Sequence, residues 1–403
     1  MKAVIPLLLC IAAVQGNAQT FRLSGFMSVR GVYTQGPKSW LDGGFGRFET
    51  SPRLTNVDVA QFGADWTPAS WIDVHASVQA RGEKAVSTVR RAGLVDAFVA
   101  LRKGPFQLRA GQFFLGTSRE NRENLWTSPY TINFSALNTW IGEEVRPVGA
   151  ELEWRHEMPN LDAVTLAAGA FRNNDTMGAL LGWRGWSMGN RLTVYGEVLP
   201  LPPLFSLHDP RFFEDQRHDG TKPFESDLDK RTGYTARVRY QRPERGSIQF
   251  ARIDNRGDRE EYRSEYAWQT RFSILSADVR NDRGTTLLSE YCWGSTGMGF
   301  LPGAIVDLTY YAAYALVSQT FGRNRVSARF DLFQTADKDH SIAETNNESG
   351  RAWTLAWFYN VRPSTRVGLE FANVSAQRIA AAESGFDPNT DGRSLTLEWR
   401  YGF

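Results

Sequence analysis

Arginine is the chemically active residue this chain has most of. Lysine occurs only at positions 2, 38, 84, 103, 222, 230 and 338, so nearly all of the 46 basic residues are arginine, set against 44 acidic ones. A guanidinium stays charged when partly desolvated and offers several donors to a carboxylate or a phosphate. Two groups of charge are dense: Arg119, Glu120, Arg122 and Glu123 within SRENREN, and Glu143 and Glu144 just before Arg146. Opposed charges across a narrow watery passage would set up a transverse field that orders water and orients dipolar solutes. On a solvated loop the same charges would only pair with one another.

Other chemistries find little support. The five histidines (75, 156, 208, 218, 340) are scattered, and no Ser, His and acid recur on one lipid-facing strand as an outer-membrane lipase would need, so neither an enzyme nor a cofactor is expected. Residues Asp387-Pro388-Asn389-Thr390-Asp391-Gly392 with Glu398 match a calcium-loop pattern. That loop must curl, yet 393–403 reads as an extended strand, which would hold Glu398 about 20 Å from Asp391 at roughly 3.4 Å per residue. No metal site is expected there. Charge is nearly balanced, so no nucleic-acid partner is indicated.

The elements that must position the charges read as strands. At the C-terminus Leu395, Leu397, Trp399, Tyr401 and Phe403 share one face, while Ser394, Thr396, Glu398, Arg400 and Gly402 share the other. The same alternation runs through Trp353 to Val361, Arg366 to Phe371, Arg325 to Leu332 and Phe21 to Arg30. Continued along the chain it gives strands near 21–33, 56–66, 71–81, 93–103, 106–113, 146–156, 162–172, 179–188 and 191–199. The second half adds 231–242, 246–254, 264–279, 285–294, 307–321, 325–334, 351–361, 365–373 and 393–403. The count is 18, with 16 the alternative because 179–199 and 264–294 alternate less cleanly. Tight turns such as Thr67-Pro68-Ala69-Ser70, Lys103-Gly104-Pro105 and Asp282-Arg283-Gly284 alternate with long polar loops at 34–54, 114–145, 200–230, 295–306, 335–350 and 374–392.

This is the pattern of an all-β, antiparallel, up-and-down transmembrane β-barrel of 16 to 18 strands. A mean hydropathy of -0.39 fits, because only every second strand residue would face lipid. Aromatics gather toward strand ends, at Tyr33, Trp66, Trp71, Trp154, Trp268, Trp293, Trp399 and Tyr401, as interfacial girdles require. A soluble β-sandwich would also alternate, but beside short loops and without so many large aromatics opposite Arg, Asp and Glu. With the aromatic face outward, the inward arginines are Arg22, Arg30, Arg81, Arg102, Arg109, Arg155, Arg237, Arg239, Arg271, Arg325, Arg329, Arg366 and Arg400. The inward acids are Asp73, Asp96, Glu151, Glu153, Glu197, Asp331, Glu370 and Glu398, which leaves a modest excess of positive charge. Pairing across strands would instead stiffen the wall.

Residues 1–18 carry Lys2, an apolar run from Ala3 to Val14 and small residues at Gly16 and Ala18, the pattern of a cleaved secretory signal. The barrel would then occupy 19–403 and retain Cys292 without a disulfide partner.

The C-terminal run LTLEWRYGF, with Trp399, Tyr401 and an aromatic Phe403 at its end, resembles the last strand of Gram-negative outer-membrane porins, which the barrel assembly machinery recognises. The stretch Val95-Asp96-Ala97-Phe98 through Phe106-Gln107-Leu108-Arg109-Ala110-Gly111-Gln112-Phe113 is similar to a hairpin of phosphate-selective porins, although lysine is scarce and no Lys-rich binding site is present. The resemblance implies residence in the outer membrane among lipid and lipopolysaccharide, passive diffusion of small hydrophilic solutes, frequent homotrimers and a third external loop folded into the lumen, here 114–145. A substrate-specific channel and a structural or adhesive barrel with a blocked lumen are the alternatives.

Overall fold

The computed structural model describes residues 20–82, 89–213, 216–224, 227–300 and 304–403. The expected signal segment, 1–18, lies outside these. One antiparallel sheet closes on itself. Its staves are β1 (Thr20–Gln35), β3 (Val59–Ala69), β4 (Ile72–Arg81), β5 (Ala92–Lys103), β6 (Phe106–Gln112), β7 (Val148–Glu157), β8 (Ala163–Arg172) and β9 (Gly233–Arg242). They continue as β10 (Gly246–Asp254), β11 (Gln269–Arg280), β12 (Thr285–Gly299), β13 (Ile305–Phe321), β14 (Asn324–Asp337), β15 (Glu348–Arg362), β16 (Thr365–Arg378) and β17 (Gly392–Gly402). A short β2 (Leu54–Asn56) pairs only with the upper end of β1 and carries the line of β3 onward. The barrel is therefore a closed ring of 16 strands with one short extra strand.

Closure is made by β1 against β17, from Phe26 opposite Gly402 to Gln35 opposite Arg393. Beyond that register, Gly25 and Phe403 exchange both backbone hydrogen bonds at 3.0 Å. A Cβ at Gly25 would come within 2.6 Å of the Phe403 ring and 2.7 Å of the Gln61 carbonyl, so only glycine lets the last residue seat there.

The alternation read from the sequence is realised on most staves. Phe21, Leu23, Met27, Val29, Leu355, Leu369, Leu395, Leu397 and Trp399 are all exposed on the outside. A continuous outward band of this kind is stable only against hydrocarbon. Ring closure satisfies the strand backbone, which lipid also demands. Connections at one rim are short, at 70–71, 104–105, 158–162, 243–245, 281–284, 322–323 and 363–364, while the opposite rim carries the long ones.

Two expected strands do not form. Residues 179–188 and 191–199 belong instead to the fourth long connection, 173–232, which enters the barrel and contains the helix α2 (Ala179–Trp183). The helix α1 (Ala136–Glu144) lies in the third, 113–147, and α3 (Ile379–Glu383) in the last. The apolar density of Leu180, Leu181, Trp183, Trp186 and Met188 mimics a strand because these side chains face an apolar surface, but that surface is the inner wall rather than lipid.

Candidate functional site

The third connection turns inward after β6 and runs into α1, where the Ser135 hydroxyl caps the Asn138 N–H and every residue from Ala136 to Glu144 is buried. Carboxylates of the far wall accept its backbone amides: Asp331 from Ala136 at 3.1 Å, and Glu370 from Ile132 and Asn133. Negative charge at the amino end of a helix is favourable. Glu290 takes the Asn138 side-chain amide at 2.8 Å and the Arg119 backbone N–H. Arg329, fully buried, completes the seam by donating to Glu120 at 2.5 Å, Asp331 at 2.8 Å and the carbonyls of Asn133 and Phe134, both at 2.8 Å.

The fourth connection fills the upper half of the barrel. Met177, Leu181, Trp183, Trp186 and Phe213 pack against the inward side chains Trp268, Phe272, Ile274, Leu308, Tyr310 and Phe333. Trp140 of α1 sits edge-on to Trp186, Phe272 and Tyr310. Polar anchors fix this plug. Arg184 pairs with Glu143 at 2.7 Å, Arg378 donates to the Gly182 and Trp183 carbonyls, and Glu348 receives both Arg47 and Arg378. Glu144 accepts from the Trp140 indole at 2.6 Å and the Leu180 N–H at 2.9 Å. Burial pushes its carboxyl up to about 7. Glu265 and Glu344, which hold the plug through Thr221 and Ser206, are pushed up to about 7 by the same cause.

Among the described residues, space remains inside the barrel at two levels. Near the short-turn rim a cavity of about 480 Å³ is bounded by Arg109, Arg119, Arg122, Arg239, Arg242 and Arg280, with Asp96, Glu123, Glu244 and Asp278 as its acids. Higher up, two voids of about 20 and 30 Å³ lie between residues 127–133 with Asn190 and the β17–β1–β3–β4 wall. Each holds about a water molecule or two. Arg30, Arg81, Arg366 and Arg400 climb this side. Arg30 and Arg366 share Glu398, at 2.9 and 3.0 Å, Arg81 meets Glu49 at 2.5 Å, and Arg400 lies over the Phe26 ring at 3.8 Å.

Arg109 pairs with Glu151, and Arg237 with Glu151 and Glu153. Arg325 donates to the Pro129 carbonyl at 3.0 Å, and Arg155 makes a half-exposed pair with Glu157. Arg22 has inward parity but stands exposed at the short-turn rim. Glu123 accepts from Thr127, and Arg122 pairs with Asp278 at 2.9 Å. Glu120, Glu143 and Glu144 face neither water nor an opposing charged rim, being buried in the seams just described. Glu197 is not on a strand and pairs with Arg191 inside the plug. Arg271 is a correction: it points outward and donates to Ser295. Its strand places Phe272 and Ile274 inward because there the interior is apolar, so the rule that the apolar face is the outer one inverts locally. Glu290 and Asp278, on the inward parity of β12 and β11, were missed for that reason. The partners Arg184, Arg378 and Glu348 carried no local signal, because their role depends on the plug. Glu398 lies in extended β17 and is occupied by Arg30 and Arg366, away from the Asp387–Asp391 acids.

No protein-family model matches the sequence, and no curated protein matches it. Among solved structures, the chain is similar to the outer membrane channel DcaP of Acinetobacter baumannii, at 11% identity and TM-score 0.58 over 96% of this chain and 98% of that one. It is similar also to OmpF of Salmonella typhi (8%, 0.55, 95% and 97%) and to the anion-selective porin from Comamonas acidovorans (10%, 0.54, 96% and 100%). The fold is that of the Gram-negative porins. Within that fold the third connection turns inward and the fourth packs into the upper lumen.

Proposed function

We propose that the chain is an outer-membrane porin that passes small hydrophilic solutes passively, with a weak preference for anions. The observation that carries this reading is the cavity of about 480 Å³ with its six arginines, together with Arg400, Arg366, Arg30 and Arg81 along two small voids higher up, inside a barrel whose outside is apolar. Positive lining lowers the electrostatic cost of bringing an anion into a low-dielectric channel. The lumen is read as non-catalytic. In the nearest approach to a hydrolytic group, His75 meets Asp65 at 2.7 Å and Asp96 at 3.4 Å, while the Ser77 hydroxyl donates to Asp96 and not to the imidazole. The expected signal segment 1–18, a homotrimer and contacts of Trp399, Tyr401 and Phe403 with the assembly machinery belong to the same proposal. One solved neighbour of the fold, the OmpT of Vibrio cholerae, is described in a trimer form.

Refolded protein in planar bilayers should show discrete conductance steps and a reversal potential of the sign set by anion flow in a salt gradient. A well-folded barrel with no conductance would overturn the reading. The filled upper lumen favours a second one, a barrel blocked by its own loop, for which that result is the expected signature.

A further inference from the structure

The arginines around the lower cavity are not equally neutralised. Arg122 has Asp278 at 2.9 Å, and Arg280 shares the same carboxylate at 3.6 Å. Arg109 has Glu151 at 3.0 Å. Arg119 is buried, yet its guanidinium donates only to the Gly116 carbonyl at 3.3 Å, and its Nε has no partner. No carboxylate among the described residues pairs with it, or with Arg239, whose Nε is likewise buried without a partner. Burial first, and then the nearness of Arg239 and Arg122, pushes Arg119 down to about 10 against the opposing pull of Glu290 and Asp278. In the same lining Asn121, only 6% exposed, has both polar atoms of its side-chain amide unsatisfied. Buried polar groups and charges are normally paired, so such a cluster is a site prepared for a group that brings negative charge and acceptors.

Another part of the cavity lining is of a different kind. Phe114 and Trp126 stack at 4.4 Å with planes 7° apart, Arg146 lies 4.8 Å over the Phe114 ring, and Leu125 and Phe98, the latter stacked on His75 at 4.9 Å, belong to the same lining. Inorganic anions have no use for such a surface, whereas a flat organic body does.

Resting on the anion-channel reading, we propose that this lower chamber binds a small organic carboxylate with a planar apolar body. Its carboxylate is held by Arg119, Arg239 and the Asn121 amide, and its body lies against Phe98 and the Phe114–Trp126 pair. The chamber is then a selecting station beneath the third loop, separate from the narrow voids along Arg30 and Arg366.

Isothermal titration calorimetry on the refolded barrel in detergent tests this without any requirement for conductance, so its failure is distinct from failure of the channel reading. Benzoate is expected to bind saturably, acetate and inorganic phosphate more weakly, and benzylammonium not at all. Arg119→Gln and, independently, Arg239→Gln should each weaken benzoate about tenfold, the loss expected for one charge-assisted hydrogen bond. Trp126→Ala should weaken benzoate and leave phosphate unchanged. Absence of benzoate binding to a folded barrel, equal affinity for phosphate and benzoate, or binding indifferent to both arginine variants would overturn the assignment. Two arginine sites are used because Arg119 supports the loop, whereas Arg239 is on a strand.

Discussion

Arg329 and Gly185 show how much rests on single side chains here. Arg329 is enclosed by Glu120, Asp331 and the carbonyls that precede α1. Replacing it with alanine leaves two buried carboxylates facing each other without a cation, a loss of about 3–5 kcal/mol by analogy with other broken buried pairs. Arg329→Ala should therefore lower the temperature at which the folded band converts to the unfolded one in gel-shift assays, and an unchanged transition would refute the anchoring role. At Gly185, φ is +81° and an added Cβ would overlap a Glu348 carboxylate oxygen. The backbone conformation alone costs an alanine about 1–2 kcal/mol, and the clash adds to it. Gly185→Ala should loosen the plug while leaving the barrel closed, which hydrogen exchange across 173–200 would report as faster exchange confined to that segment.

At the scale of elements, the two inward connections behave differently from the wall. Glu144, Glu265 and Glu344 are pushed from an ordinary 4.5 to about 7 by burial when the fourth connection is docked. Their neighbours include cations, Arg184, Arg217 and Arg378 respectively, but burial is the larger effect in each case. Between about 4.5 and 7 the docked form holds more protons than the undocked one, so docking weakens as pH rises through that window and levels off above it. Single-channel conductance should accordingly be larger at pH 8 than at pH 5, and a pH-independent conductance would remove this coupling. Most of the wall could be read from alternation, as Leu395 to Phe403 against Ser394 to Gly402 illustrates. The plug could not be read: Leu180 to Met188 and Leu192 to Val194 have strand-like apolar density, and periodicity cannot tell a face turned to lipid from one turned to an apolar inner wall. The same ambiguity sent Arg271 to the wrong side and hid Glu290. Among the charges, inward strand positions were legible because parity fixes them. The partners inside were not, since Arg329 with Glu120 and Arg184 with Glu143 join residues far apart in the chain.

For the whole molecule, closure depends on the last residue reaching Gly25, where Phe403 also lies 5.8 Å from the Phe62 ring. Phe403→Ala should reduce the yield of folded barrel in cells, measured as the heat-modifiable fraction in membranes, and a full yield would show the terminal ring to be dispensable. The short-turn half of the lumen is charged and open, whereas the upper half is lined by Trp268, Phe272, Ile274, Leu308 and Phe333. An empty cylinder with that interior would expose to water an apolar lining as sticky as any folding intermediate. The sheet is thus a poor vessel until its own fourth connection is inside it. The fourth connection serves as the inner coat of its own wall, and any opening that withdrew it whole would wet that lining.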